Sequence, residues 1–215
     1  MRPASEGARE DGAAGRRLFG LLTLAVALVC LALLAAGGAG EAGLRSVVRN
    51  TARTSAVLFT LAFVARPLRA LWRTRASLWL AAREPYFFAS FAASHVMHAA
   101  ALAALAFATG GDALDGRAST LAVGGLAYAF VLAIAFSSFG RRAEWVESRG
   151  WARTLRAVGL YLIWSIFMLS FAGRALQSAA YRPAAALLFA ALCVRVAAAI
   201  SRRASRRAAP ASAAA

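Results

Sequence analysis

The chain has only two histidines, and they lie three residues apart in the run Ser94-His95-Val96-Met97-His98. Imidazole is the usual axial ligand of haem iron, and an i, i+3 spacing places both rings on one face of a helix. A planar macrocycle takes its two axial ligands from opposite sides, so one helix does not easily supply both. His95 and His98 are therefore predicted as candidate iron ligands that need a partner from a second helix. The alternative is a pair of histidines that form hydrogen bonds between helices.

Other chemistries find little support in the sequence. Ser94 and His95 are neighbours, but side chains at i and i+1 diverge on a helix, and no carboxylate is placed to orient the histidine. We predict no catalytic residue. A metal site made from the two histidines alone is disfavoured because no carboxylate or thiol accompanies them in the apolar segments. Three acidic residues are predicted to be solvated charges at the membrane edge, namely Glu84, Glu144 and Glu147.

The composition indicates the kind of protein that carries these histidines. Of the 215 residues, 61% are hydrophobic, the mean hydropathy is +0.62, and all 25 basic residues are arginine, giving a net charge of +16. The chain is too apolar for a disordered basic tail or a ribosomal-type RNA binder. Its two cysteines cannot build a disulfide scaffold. High hydrophobicity with many arginines is typical of a membrane protein whose cations lie at the membrane edges.

Six apolar stretches approach the length of about 20 residues that a helix needs to cross a bilayer. The sequence therefore predicts an all-α integral membrane protein, a bundle of six transmembrane helices. In the third stretch the two histidines would lie about 13 and 18 Å along the helix from its first residue, near the middle of the membrane. The stretches are Leu18–Ala36, Ala56–Leu71, Tyr86–Ala108, Leu121–Phe139, Ala157–Ala172 and Ala184–Ile200.

The distribution of arginines predicts the orientation of these spans. If the N-terminus is cytoplasmic, 18 arginines fall on the cytoplasmic side and six on the other, with Arg195 inside the sixth stretch. Cytoplasmic connections of membrane proteins carry an excess of arginine and lysine. The split thus favours six spans with both termini in the cytoplasm. Because the arginines are dispersed among apolar spans, we expect contact with the lipid bilayer and no nucleic-acid partner.

The two ends of the chain are polar and rich in small residues. Residues 1–17 and 201–215 are predicted to be disordered cytoplasmic segments that flank a membrane domain at 18–200. A cleaved signal peptide is the alternative interpretation of the first stretch, because Arg16 and Arg17 precede it and small residues follow. The expected location is a membrane of the bacterial inner (plasma) membrane type.

Three stretches of the sequence resemble the ferric reductase-like transmembrane domain family, which includes the haem-binding membrane subunit of methionine sulfoxide reductase. The resemblance covers roughly residues 49–176, and the order and spacing of the stretches give it its specificity. It implies a haem b carried between helices and electron transfer across the membrane. The stretches are Thr51-Ala-Arg-Thr-Ser55 with Arg66-Pro67-Leu68, Phe91-Ala-Ala-Ser-His95-Val-Met-His98, and Trp151-Ala-Arg-Thr-Leu155-Arg156-Ala157-Val158-Gly159-Leu160-Tyr161-Leu-Ile-Trp164.

One departure from that family bears directly on haem. Where the family has a histidine in its Leu-His-Arg pattern, this chain has Arg156, followed by Ala157. A guanidinium stays protonated and has no lone pair for iron. Three alternatives stay open: His95 or His98 with an open or weak sixth position, Met168 as the second ligand, or a fold that has lost haem. Arg156 would then mark the cytoplasmic end of the fifth span, or contact a haem propionate or a lipid phosphate.

The sequence contains no strand, glycine-rich loop and helix pattern for a dinucleotide, so no flavin or NAD site is expected in this chain. Electrons would have to arrive from a quinol or a separate reductase and leave to a separate redox acceptor subunit. The competing interpretation is a haem-free structural or interaction protein of the membrane on the same fold.

Overall fold

The structure, a computed structural model, describes the backbone of residues 4–111 and 118–208, and within them the side chains of 11–111 and 122–205. These residues are almost entirely helical and include no strand. The helices are α1 (Ala4–Gly37), α2 (Glu41–Leu71), α3 (Arg75–Ala82), α4 (Glu84–Ala108), α5 (Ala118–Ser137), α6 (Gly140–Ser148), α7 (Gly150–Ala175) and α8 (Arg182–Ala208), with a 3₁₀ turn at Ala179–Tyr181 before α8.

Five of these helices are long and apolar enough to cross a membrane, namely α1, α2, α4, α7 and α8 with its preceding turn. A sixth span is obtained if α5 and α6, which are bent by 108° relative to each other, are counted together. The predicted class, an all-helical multi-pass membrane protein, is therefore confirmed with five or six candidate spans. The predicted fourth stretch ends two residues early, at Ser137, because Phe139 is already the N-cap of α6.

Two short helices, α3 and α6, lie in connections between the long helices and are not predicted from the sequence. Helix α3 begins with a capping box in which the Thr74 hydroxyl accepts a hydrogen bond from the Ser77 backbone and the Ser77 hydroxyl accepts one from the Thr74 backbone. Helix α6 follows the sharp bend after α5. Its first residue, Gly140, has a φ of +53°, a left-handed conformation that glycine adopts readily.

The helices also extend further at the ends than the sequence predicts. Helix α1 begins at Ala4 and α8 continues to Ala208, although 1–17 and 201–215 are predicted to be disordered. Alanine and arginine, the commonest residues in these segments, are strong helix formers. Residues 1–3, 112–117 and 209–215 lie outside the described part of the chain, and Arg2 and Arg117, two of the arginines that predict the orientation, lie among them.

The helices contribute to two compact units. Unit 1 consists of Met1–Phe59 and Pro85–Ile163, and its most buried large side chains include Phe59, Phe88 and Phe91. Unit 2 consists of Thr60–Glu84 and Trp164–Ala215. Both histidines belong to unit 1.

Glu84 in unit 2 corrects one prediction from the sequence. Instead of a solvated charge it is a side chain that is only 5% exposed and forms an ion pair with the Arg66 guanidinium. A buried carboxylate is costly unless a cation accompanies it. Arg66, which the sequence predicts only as a cation near the end of the second stretch, supplies that charge. The other two acidic residues, Glu144 and Glu147, are exposed on α6, as predicted.

Arg195 in unit 2 has a specific contact with the backbone of α2. Its Nη1 donates a hydrogen bond to the carbonyl oxygen of Phe63 at 2.9 Å, and its Cζ lies 4.1 Å from the centroid of the Phe63 ring. In an α-helix the Phe63 carbonyl would accept from residue 67, but that residue is proline and has no N–H. Arg195 thus donates a hydrogen bond to the Phe63 carbonyl, to which Pro67 cannot donate one.

A pair of glycine variants tests the packing of α7 in unit 1. A Cβ placed on Gly159 would lie 2.9 Å from Cγ of Phe130 and closer still to its Cδ1, whereas one on Gly173 would meet nothing within 4 Å. We expect Gly159→Ala to lower the free energy of unfolding by roughly 1–3 kcal/mol, because the Phe130 ring must shift. Gly173→Ala should be neutral or slightly stabilising through helix propensity. The check is the unfolding temperature in detergent, and equal temperatures for the two variants would contradict this packing.

Candidate functional site

The predicted histidines lie on the contact between α2 and α4 in unit 1. Three pairs of side chains follow one another along this contact: Thr51 with His98, Ser55 with Ser94, and Phe59 with Phe91. From one pair to the next, the residue number rises by four on α2 and falls by three or four on α4. This is about one helical turn in opposite directions, as expected for two antiparallel helices packed side by side. We refer to these six residues as the α2–α4 seam.

The hydroxyl groups of the seam are deeply buried. The Thr51 Oγ1 lies 2.9 Å from Nδ1 of His98, and the hydroxyl oxygens of Ser55 and Ser94 lie 2.9 Å apart. Thr51, Ser55 and Ser94 are each at most 2% exposed. Small hydroxyl side chains allow two membrane helices to approach closely and to form hydrogen bonds with each other. The seam therefore fixes the position of His98 relative to α2.

The hydrogen-bond partners of Thr51 bear on the tautomer of His98. The Thr51 hydroxyl has one proton, and the backbone carbonyls of Val47 and Val48 lie 2.8 and 3.1 Å from its oxygen. With that proton donated to the backbone, the oxygen accepts a hydrogen bond from His98 Nδ1–H. The other ring nitrogen, Nε2, then carries the lone pair. A histidine that binds a metal typically donates its second ring N–H in this way.

His95 has a different environment, made of aromatic rings. Its ring centroid lies 4.6 Å from that of Tyr128 on α5, 5.2 Å from that of Phe91 and 5.6 Å from that of His98. The Tyr128 hydroxyl donates a hydrogen bond to the backbone carbonyl of His95 at 3.0 Å. Tyr128 therefore holds α5 against α4 at the level of the histidines.

The two imidazole rings stack side by side with an interplanar angle of 26°. Ligands that bind one iron from opposite faces of a macrocycle cannot be arranged in this way. The structure is therefore consistent with the expectation that α4 contributes at most one axial ligand. Within residues 4–111 and 118–208, no group of three histidine, cysteine, aspartate or glutamate side chains forms a metal site.

Arg156, a predicted site residue, lies nearer the beginning of α4 than the histidines do. Its Cζ is 5.4 Å from the ring centroid of Phe88, and Phe88 precedes His95 by seven residues, or about 10 Å along the helix. Arg156 also lines a cavity of about 220 Å³ with Trp145 and Trp151. It is a half-buried cation among aromatic rings, in a position where it could contact an anionic group.

Met168, the candidate second ligand, is half-buried on α7 and belongs to unit 2, whereas the histidines belong to unit 1. Its proposed role as a ligand stays a prediction.

Two partners of the histidines, Thr51 and Tyr128, are not predicted from the sequence. In the sequence, Thr51 stands out only as part of one of the stretches that carry the family resemblance. No spacing rule pairs Thr51 with His98, which lies 47 positions further along the chain. Tyr128 has one signal in the sequence, since it is the only tyrosine of α5. Because buried tyrosine hydroxyls usually find a hydrogen-bond partner, that signal could have indicated a polar contact within the bundle.

Comparisons with protein-family models, with curated proteins and with solved structures find no match to this chain.

Proposed function

We propose that this membrane protein binds haem b through His98 and transfers electrons across the membrane to or from a separate redox partner. The observation that carries the proposal is the hydrogen bond between His98 Nδ1 and Thr51 Oγ1. It orients the imidazole near the middle of a long apolar helix and, when the Thr51 proton is donated to the backbone, leaves the Nε2 lone pair for a metal. An imidazole at that depth is costly for a membrane protein, which favours a function for it.

The protein's own residues have distinct roles in this proposal. Thr51 holds the ring orientation and the tautomer of His98, and the Ser55–Ser94 hydrogen bond keeps α2 and α4 in register one turn away. His95 and Tyr128 supply an aromatic wall beside the ligand. Arg156 offers a cation to an anionic substituent such as a propionate. Haem, when bound, supplies the one-electron redox chemistry.

The second ligand of the haem iron is the part of the proposed site with the least support from the residues of this chain. Only two histidines exist in the chain, and α4 can give one ligand. We therefore propose an open or weakly held sixth position, which would leave room for an exogenous ligand.

The arginine distribution supports the finer topology that we propose. Six spans with both termini in the cytoplasm put 18 of the 25 arginines on the side where positive charge accumulates. The proposed location is a bacterial-type inner membrane. The donor would be a quinol or a separate reductase, and the acceptor a separate subunit.

One observation favours a second candidate, a haem-free structural membrane protein on the same fold. The polar groups of the α2–α4 seam bind one another, so the seam stabilises the helix pair without any cofactor. Interhelical hydrogen bonds of this kind contribute about 0.6 kcal/mol each on average.

The two candidates differ in a reduced-minus-oxidised absorbance spectrum. The protein is expressed with ample haem, purified in detergent and reduced with dithionite. We expect a Soret band that shifts on reduction, is lost in His98→Ala and is retained in His95→Phe, which keeps a ring against Tyr128. No Soret absorbance in the unmodified protein would support the haem-free candidate. A band lost in His95→Phe and kept in His98→Ala would contradict the assignment of His98.

A further inference from the structure

A groove with apolar walls runs along unit 1 between α1, α4 and α5, and it ends at an arginine. Its volume is about 730 Å³. The groove exists because alanines form its floor, Ala89 and Ala92 on α4 and Ala133 and Ala135 on α5. Small side chains on neighbouring helices leave a channel that larger residues would fill.

The walls of the groove are large apolar side chains that face outward. Phe19 lies on α1, while Leu132 and Phe136 on α5 are 51% and 65% exposed. In a helix that crosses a membrane, such exposed apolar side chains face lipid chains, so the groove opens toward the bilayer.

The end of the groove is marked by a cation in a fixed position. Arg142 is part of the groove lining, and its Cζ lies 3.9 Å above the centroid of the Phe136 ring. It belongs to α6, which turns away from α5 at 108° and carries polar and aromatic residues typical of a helix in the membrane interface. Within the described part of the chain no carboxylate forms an ion pair with Arg142.

We infer that this groove is a binding site for one anionic phospholipid, with an acyl chain over the alanine floor and its phosphate on Arg142. The charge of the groove end selects the occupant, because a guanidinium next to an aromatic ring still presents its N–H donors to a phosphate. An apolar groove that ends in a cation at the interface matches an amphiphile with an anionic head. The inference is independent of haem and holds equally for the haem-free candidate.

The test compares lipids that differ only in headgroup. The full-length protein in a neutral detergent is mixed with phosphatidylglycerol or phosphatidylcholine of identical chains, and bound lipid is counted by native mass spectrometry. We expect one tightly retained phosphatidylglycerol, and a preference that falls about fivefold in Arg142→Gln, the effect of about one basic residue near an anionic surface. Arg141→Gln is the matched control, since Arg141 is exposed and does not line the groove.

A second pair of variants tests the acyl-chain part of the site. Ala89→Leu fills the floor of the groove and should lower the amount of retained phosphatidylglycerol, whereas Ala100→Leu on an exposed position of the same helix should not. Unfolding temperatures establish that both variants are folded. Equal retention of the two lipids, equal effects of Arg141→Gln and Arg142→Gln, or displacement of the lipid by inorganic phosphate alone would each overturn the proposal.

Discussion

Replacing Thr51 by valine is expected to lower the affinity for haem by about 10- to 100-fold, the usual effect of removing the group that orients a metal-binding histidine. Valine has nearly the shape of threonine but cannot accept the hydrogen bond from His98 Nδ1–H. The imidazole then loses both its fixed orientation and its tautomer. The measurement is a titration of the purified apoprotein with haem, followed by Soret absorbance.

Two further variants separate this effect from a general weakening of α2. Thr54 lies on the same helix and donates only to the backbone carbonyl of Asn50, so Thr54→Val should bind haem as the unmodified protein does. Thr51→Ser keeps the hydroxyl and should retain most of the affinity. If Thr51→Val and Thr54→Val gave the same affinity, the orienting role of Thr51 would be refuted.

The second large effect is expected at Arg195. Arg195→Leu should lower the free energy of unfolding by roughly 1.5–3 kcal/mol, because a charged donor is withdrawn from the Phe63 carbonyl. Within a membrane no water replaces that donor readily. The measurement is the unfolding transition in detergent. Arg202→Leu, on an exposed position of α8, serves as the control and should leave the transition nearly unchanged.

A double variant isolates the link between Arg195 and Pro67. Alanine at position 67 has the backbone N–H that proline lacks, so Pro67→Ala gives the Phe63 carbonyl a donor from its own helix. Arg195→Leu should then cost about 1 kcal/mol less in the Pro67→Ala background than in the unmodified protein. Additive effects of the two substitutions would show that Arg195 stabilises the protein in some other way.

The long apolar helices could be predicted because hydropathy and length are read directly from the sequence. Each of the six apolar stretches falls on a long helix, with only the end of the fourth displaced. Helices α3 and α6 could not be predicted in the same way, since eight or nine residues carry little periodic signal. The burial of Glu84 also could not be predicted from the residues next to it in the sequence. It depends on how the helices pack and on the ion pair with Arg66.

The candidate site was predictable only in part. The rarity of histidine in the chain singles out His95 and His98, and the helical spacing correctly places them side by side. Their partners Thr51 and Tyr128 depend on the register of α4 against α2 and α5, which no local pattern encodes. The link between Pro67 and Arg195 has the same origin, since it joins residues that are far apart in the sequence.

The proposal that His98 is the haem ligand is tested most directly by chemical rescue. His98→Gly removes the imidazole and leaves space in its place, and free imidazole can then be added to the purified variant in the presence of haem. We predict that the Soret band of bound haem is absent in this variant and returns on addition of imidazole, whereas the control His95→Gly keeps the band without imidazole. A full Soret band in His98→Gly without imidazole would contradict the assignment of His98 as the ligand.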